Sequence, residues 1–184
     1  MEYRAVVLAA GASKRMGEQK LLLPFHGRPM IEHALQAALR WKPLVVAGHE
    51  VAAYLAQREA IMVVRNDKPE RGMTHSLALA NEAIERDAAL VVLLGDKPLV
   101  SPQIIESLCE ASHDADITFP REPHTGEPGH PVVFSPRARV KIPSLPDGDS
   151  LRAVRDDPSL VRREIAVADL GAYFDIDTAG SLGE

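Results

Sequence analysis

A single cysteine, Cys109, stands in 184 residues, which excludes an intramolecular disulfide and any Cys-rich zinc cluster. The seven histidines include no His-x-x-x-His and no His/Cys spacing, so a zinc site is not expected either. Also missing is a Gly-x-Ser-x-Gly elbow. Cys109 falls on the apolar side of a helical pattern, where an inert buried thiol is expected rather than a nucleophile. The longest apolar runs, Ala5 to Ala10 and Ala88 to Leu94, stop far short of the ~20 residues that span a bilayer. Met1-Glu2-Tyr3-Arg4 leads into a strand-like segment without the charged region of a signal peptide, so a cytoplasmic location and no membrane partner are expected. Basic residues are in deficit: Lys+Arg number 21 against 26 Asp+Glu, a formal charge of -5. Broad electrostatic binding of nucleic acid is therefore not expected.

The remainder has ordinary globular composition, 46% apolar and 26% charged. That suits one domain over residues 1–184, with a radius of gyration of roughly 16 Å. Short β-branched runs at Ala5–Ala9, Leu44–Ala47, Ile61–Val64 and Leu90–Leu94 alternate with amphipathic stretches at Met30–Trp41, Val51–Arg58 and Thr74–Arg86. Within the first stretch Ile31, Ala34, Leu35, Ala38 and Leu39 recur at spacings of three and four. This βαβ rhythm predicts a single doubly wound α/β domain with a mostly parallel sheet, because strands such as Val91-Val92-Leu93-Leu94 are apolar on both faces. Ligands of such a sheet gather at the carboxyl ends of its strands. Further strands are expected at Ile117–Phe119 and Val132–Phe134, and a helix start at Ser101-Pro102. Seven of the 14 prolines lie between Pro120 and Pro146, a segment expected to hold neither a long helix nor a central strand. It reads either as a rigid surface excursion or as a wall of a site.

Three local signals carry chemistry. Directly after the first strand comes Leu8-Ala9-Ala10-Gly11-Ala12-Ser13-Lys14-Arg15-Met16-Gly17-Glu18-Gln19-Lys20. Its small residues let backbone amides approach an anion, and Arg15 and Lys20 supply permanent charge for a polyphosphate. The pattern is neither a P-loop nor a dinucleotide fingerprint; a solvated glycine-rich turn is the alternative. Gly95-Asp96 closes the apolar strand, placing a carboxylate where it can hold Mg²⁺ beside phosphates, or else cap a turn. Asp175-Ile176-Asp177-Thr178 offers a further metal-ligating carboxylate, or else starts a final helical turn. Of the histidines, His26, His33, His49 and His113 read as structural or solvated, whereas His75, His124 and His130 lie in segments expected to face a ligand.

Taken in order, these motifs resemble the MobA-like nucleotidyltransferases with a GT-A-type fold, and among them the molybdenum cofactor cytidylyltransferases. The first motif continues as Leu21-Leu22-Leu23-Pro24 with Gly27. It is followed by Arg71-Gly72-Met73 with Ser76-Leu77, Gly95-Asp96 with Pro98, Gly129-His130-Pro131-Val132-Val133-Phe134, Gly148-Asp149 and Asp175 to Thr178. The resemblance implies that Leu8, Ala9, Ala10 and Gly11 meet the nucleotide, with Gly72 and Ser76 approaching the base from the other side. It further implies Arg15 and Lys20 on the triphosphate, Asp96 with Asp175 or Asp177 on Mg²⁺, and His130 toward a phosphorylated acceptor such as molybdopterin. CTP is favoured over GTP, because Ala10 stands at the third position of the motif, where guanylyl relatives with Leu-Ala-Gly-Gly have the first of the two glycines. A transient contact with a molybdoenzyme or its maturation factor is also implied. Lys97, where Gln or Met is usual, and Ser150-Leu151 depart from the pattern and bear on the acceptor. Alternatives are a guanylyl or sugar-phosphate nucleotidyltransferase of the same fold, and a nucleotide-binding subunit without turnover.

Overall fold

The computed structural model describes residues 1–11, 19–58, 61–148 and 151–174. Nine strands are present among them: β1 (Tyr3–Ala9), β2 (Pro24–Phe25), β3 (Arg28–Pro29), β4 (Leu44–Ala47), β5 (Met62–Arg65), β6 (Ala89–Leu94), β7 (Ile117–Arg121), β8 (Val132–Phe134) and β9 (Arg162–Ala166). The helices are α1 (Met30–Ala38), α2 (His49–Leu55), α3 (Met73–Ala83), α4 (Pro102–Ala111), α5 (Pro136–Arg139) and α6 (Arg152–Arg155). Seven strands form one sheet in the order β5-β4-β1-β6-β8-β7-β9, and β2 with β3 make a separate small hairpin. Strands β5, β4, β1 and β6 run parallel, β8 lies antiparallel to both its neighbours, and β9 is parallel to β7.

Alternation along β1 explains the layering. Ala5, Val7 and Ala9 pack with α1, α2 and α4 on one face. Val6 and Leu8 pack on the other face with Leu77 and Ala80 of α3 and Val154 of α6. A strand covered on both sides needs apolar side chains at every position, and β1 from Ala5 to Ala9 is buried throughout. Helix α4 begins as expected: the Ser101 hydroxyl accepts from the Ile104 N–H, with Pro102 in the first turn. The stretch predicted as a helix to Trp41 tightens after Ala38 into a 3₁₀ turn over Leu39–Trp41 and ends on Lys42 at φ 47°. Burial pushes the Cys109 thiol up to about 12, as suits an inert core residue.

One expectation fails. The proline-rich segment does contain an interior strand, because β8 is flanked by β6 and β7. The prolines permit it: Pro131 precedes the strand and Pro136 follows it, so neither removes a donor from within Val132–Phe134. Strand β9 and the β2–β3 hairpin escaped sequence reading altogether. So did Arg139, a buried guanidinium that donates to the carbonyls of Asn81, Ile84, Glu85 and Ala88 and to Asn81 Oδ1. It satisfies the carbonyls left open where α3 ends.

The chain leaves β1 toward β4 and β5 on one side, then returns to β6 on the other. Such a reversal of strand order opens a crevice at the carboxyl ends of β1 and β6.

Candidate active site

Ala10 and Gly11 leave β1 at this crevice. The Leu8 carbonyl accepts from the Gly95 N–H at 3.0 Å, so the end of β1 is pinned to the end of β6. Gly48, following β4, donates to the Ala9 carbonyl at 3.4 Å. Leu8, Ala9 and Ala10 are buried and Gly11 is exposed. In the phosphate-loop motif the chain therefore reaches solvent at Gly11.

Gln19 closes that loop from the far side. Its side-chain amide donates to the Gly11 carbonyl at 3.3 Å, joining two positions eight residues apart. Lys20 follows in a 3₁₀ turn, Lys20–Leu22, whose Leu21 side chain is buried. Gly95 explains how the turn reaches β6: a Cβ there would lie 3.1 Å from Ile31 Cδ1, 3.2 Å from Leu21 Cδ1 and 3.3 Å from the Leu8 carbonyl. Only glycine lets the Leu21 methyl settle against the strand end without displacement. Lys20 is thereby delivered to Asp96, with Nζ 2.9 Å from Oδ2, and both side chains keep a path to solvent, 17% and 28% exposed.

The opposite wall is built on α3. Gly72, at φ 86°, precedes the helix, and a Cβ there would lie 2.8 Å from Gly148 Cα. The Gly148 N–H donates to the Arg71 carbonyl, and the Thr74 hydroxyl donates to the Pro146 carbonyl. Arg71 pairs with Asp147 at 2.7 Å, which holds the Asp147 carboxyl below its usual range. Ser76 is buried, its hydroxyl accepting from Asn66 Nδ2 at 2.9 Å. Asn66 Oδ1 accepts in turn from the Lys68 N–H, and the Asn66 N–H donates to the Ala47 carbonyl. Ser76 thus fixes the end of β5 against α3 and holds the wall in place from behind.

The third wall is a strap from Val167 to Phe174 packed between the Lys97–Leu99 turn and Gly129-His130. A Cβ on Gly171 would come 2.1 Å from the Leu99 carbonyl, and one on Gly129 would meet the Ala172 carbonyl and the Tyr173 ring at 2.6 Å. The His130 N–H donates to the Ala172 carbonyl, Tyr173 Oη to the Val167 carbonyl, and the buried Lys97 Nζ to the Tyr173 carbonyl at 3.0 Å. Burial, reinforced by the Lys97 ammonium, pulls the His130 imidazole down to about 4, against the Val92 backbone and the Asp96 carboxylate. The ring is neutral near pH 7. Its Nδ1 is buried with no partner at full hydrogen-bonding geometry.

Lys20 and Asp96 thus meet where β1 and β6 end, and His130 lies within electrostatic reach of Asp96, whereas Arg15, Asp175 and Asp177 lie outside the described residues. Among the described residues no group of three or more His, Cys, Asp or Glu could enclose a metal. Asp96 alone gives a hard oxygen donor at a strand end, which fits Mg²⁺ where phosphate oxygens and water complete the shell. Sequence reading missed Gln19 and Asn66, since each acts through a contact that no local pattern encodes. A cavity of about 370 Å³ lined by Met1, His113, Asp116, Arg137 and Val161 sits at the opposite end of the sheet and contributes nothing here.

Residues 5–163 match the model of the MobA-like NTP transferase domain. The chain belongs to that family. It is 34% identical over 128 residues to the bifunctional protein GlmU of Roseobacter denitrificans, a match covering 64% of this chain but 28% of that protein. The chain thus spans under a third of that relative's length. It is 24% identical over 152 residues to the molybdenum cofactor cytidylyltransferase of Escherichia coli, covering 80% of this chain and 77% of that one. Among solved structures, Rv0371c from Mycobacterium tuberculosis superimposes with a TM-score of 0.83 at 27% identity, covering 97% and 93% of the two chains. Its complex with manganese superimposes at 0.77 with 24% identity, covering 91% and 89%. The α/β architecture with a mostly parallel sheet is the one shared with these solved structures. No helix among the described residues is long and apolar enough to cross a membrane.

Proposed function

We propose that this chain acts as one nucleotidyltransferase domain over residues 1–184, in the cytoplasm. It transfers a nucleotidyl group, CMP from CTP by preference, to a phosphorylated acceptor such as molybdopterin and releases pyrophosphate. The observation that carries the reading is the Lys20–Asp96 pair at 2.9 Å, at the mouth of the crevice between β1 and β6. It sets a phosphate-binding cation beside a metal-binding carboxylate. The family membership and the likeness to a cytidylyltransferase support it.

In this reading the backbone of Ala9, Ala10 and Gly11 faces the nucleotide, and the Gly72 turn at the head of α3 closes over the base. Arg15 and Lys20 hold the triphosphate, while Asp96 with Asp175 or Asp177 holds Mg²⁺. The attacking oxygen belongs to the acceptor's terminal phosphate and is already anionic, so it needs little help from a general base. The cost lies in bringing anions together, which Lys20 and Arg15 offset by neutralising the phosphates and aligning the α-phosphorus for in-line attack. A bound divalent ion would add charge stabilisation on the departing pyrophosphate. His130 stands beside Lys97 as a neutral imidazole, so its part in acceptor binding is to shape the wall and offer a neutral hydrogen-bonding atom, not a charge. A transient contact with a molybdoenzyme or its maturation factor belongs to the same reading.

The test is incubation with each nucleoside triphosphate, Mg²⁺ and candidate phosphorylated acceptors, with products identified by mass. A cytidylylated pterin supports the reading; guanylylated pterin or a nucleotide sugar replaces it with one of the alternatives, and no product with any acceptor returns the chain to a binding subunit. The kcat/KM ratio of CTP to GTP should favour CTP by about 1–3 kcal/mol, roughly 5- to 150-fold, and shrink in Ala10→Gly. A ratio favouring GTP sinks the cytidylyl assignment.

A further inference from the structure

Lys20 is asked to bind phosphate, yet without substrate its ammonium lies on Asp96, 2.9 Å from Oδ2. The same carboxylate is the metal ligand of the proposed reaction, and this inference rests on that reading. A Mg²⁺ ion sits about 2.1 Å from a carboxylate oxygen, so an ammonium already bonded to that carboxylate leaves the two cations within a few ångströms of each other. The single negative charge of Asp96 does not balance the three positive charges, so the two cations repel until further anionic oxygens join them. The turn holding Lys20 is fixed, since Leu21 is buried and the Leu23 N–H donates to the Lys20 carbonyl at 3.1 Å. The ammonium at the end of its four-carbon stem can still swing, because the side chain keeps partial exposure.

We infer that Lys20 is a tethered counter-ion that occupies the metal position until the nucleotide arrives. The phosphates draw the ammonium off Asp96 and so free the carboxylate for the metal. One lysine then enforces both the affinity for the triphosphate and the poor affinity of the empty site for free metal.

The two roles predict opposite signs for one substitution. Mn²⁺ binding to nucleotide-free protein is followed by its spin-resonance signal in wild type, Lys20→Met, Lys20→Arg and Asp96→Asn. Removing the ammonium should tighten Mn²⁺ about 5-fold, the upper end for releasing a partly exposed ion pair, while the affinity for metal-free CTP falls. Lys20→Arg, which keeps the charge, should bind Mn²⁺ as weakly as wild type. Because the pair is partly exposed, Lys20→Gln serves equally if Lys20→Met is poorly folded. Mn²⁺ affinity unchanged or weaker in both neutral variants, with Asp96→Asn still abolishing binding, would overturn the exchange and leave Asp96 as a metal ligand. Mn²⁺ affinity insensitive to Asp96→Asn in every background would instead remove the metal assignment itself.

Discussion

The two halves of the sheet are built by different means. From β1 to β6 the chain repeats parallel crossovers, and each strand end is set by hydrogen bonds to its neighbour, Gly48 to Ala9 and Gly95 to Leu8. Beyond Asp96 the strands alternate in direction, and the wall depends on backbone pressed against backbone: Gly171 on Leu99, and Gly129 on Ala172 and Tyr173. The regular half carries the groups assigned to the nucleotide, while the interlocked half carries those assigned to the acceptor. Substitutions should therefore fail differently on the two sides. In the regular half charges can be removed with the fold intact; in the interlocked half a single methyl should disturb folding first.

Gly171→Ala should show the largest effect. Its Cβ meets a carbonyl oxygen that cannot move aside, so a loss of about 3 kcal/mol is expected, in the range of severe overpacking. Urea denaturation measures it, and a midpoint near wild type would show the strap to be loosely held. On the other side of the comparison, Lys20→Ala and Arg15→Ala should each slow turnover by roughly 10- to 150-fold, about 1.5–3 kcal/mol, with little change in stability. Unchanged steady-state kinetics for both would make the loop a solvated turn.

His130 sharpens the contrast through pH. Its imidazole is depressed from 6.5 to about 4 in the folded protein, so between those values the unfolded chain takes up a proton that the folded chain refuses. The stability this group contributes is present above pH 6.5 and is lost as pH falls toward 4, by about 2 kcal/mol at pH 5. Denaturant midpoints at pH 7 and pH 5 for wild type and His130→Gln should show the smaller pH loss in the variant. Equal losses would mean that the ring is solvated.

The comparison also marks what the sequence could disclose. Periodicity located β4 and β8 at their observed bounds, Leu44–Ala47 and Val132–Phe134, and the cap at Ser101, since these are local patterns. The same reasoning placed Lys20 and Asp96 in one site because both follow buried strands in a doubly wound sheet. It missed β9, whose Arg162-Arg163-Glu164 run is exposed on the sheet edge and carries little apolar alternation. Proline content misjudged β8, because it counted prolines without asking whether they fell inside the hydrogen-bonded residues. Gln19 on Gly11, Ser76 on Asn66 and Lys97 on Tyr173 are pairings that only the folded chain brings together.

The central claim is that chemistry occurs at the β1–β6 crevice with Asp96 on the metal. Pyrophosphate release from CTP and a phosphorylated acceptor, followed across a Mg²⁺ titration in wild type and Asp96→Asn, tests it most directly. The substitution keeps shape and removes one charge from a partly exposed pair, so folding stability should change by no more than about 1 kcal/mol. Turnover should fall by about 100-fold or more at every Mg²⁺ concentration, the scale for losing a group that stabilises transition-state charge. Near wild-type release by Asp96→Asn throughout the titration would contradict the account.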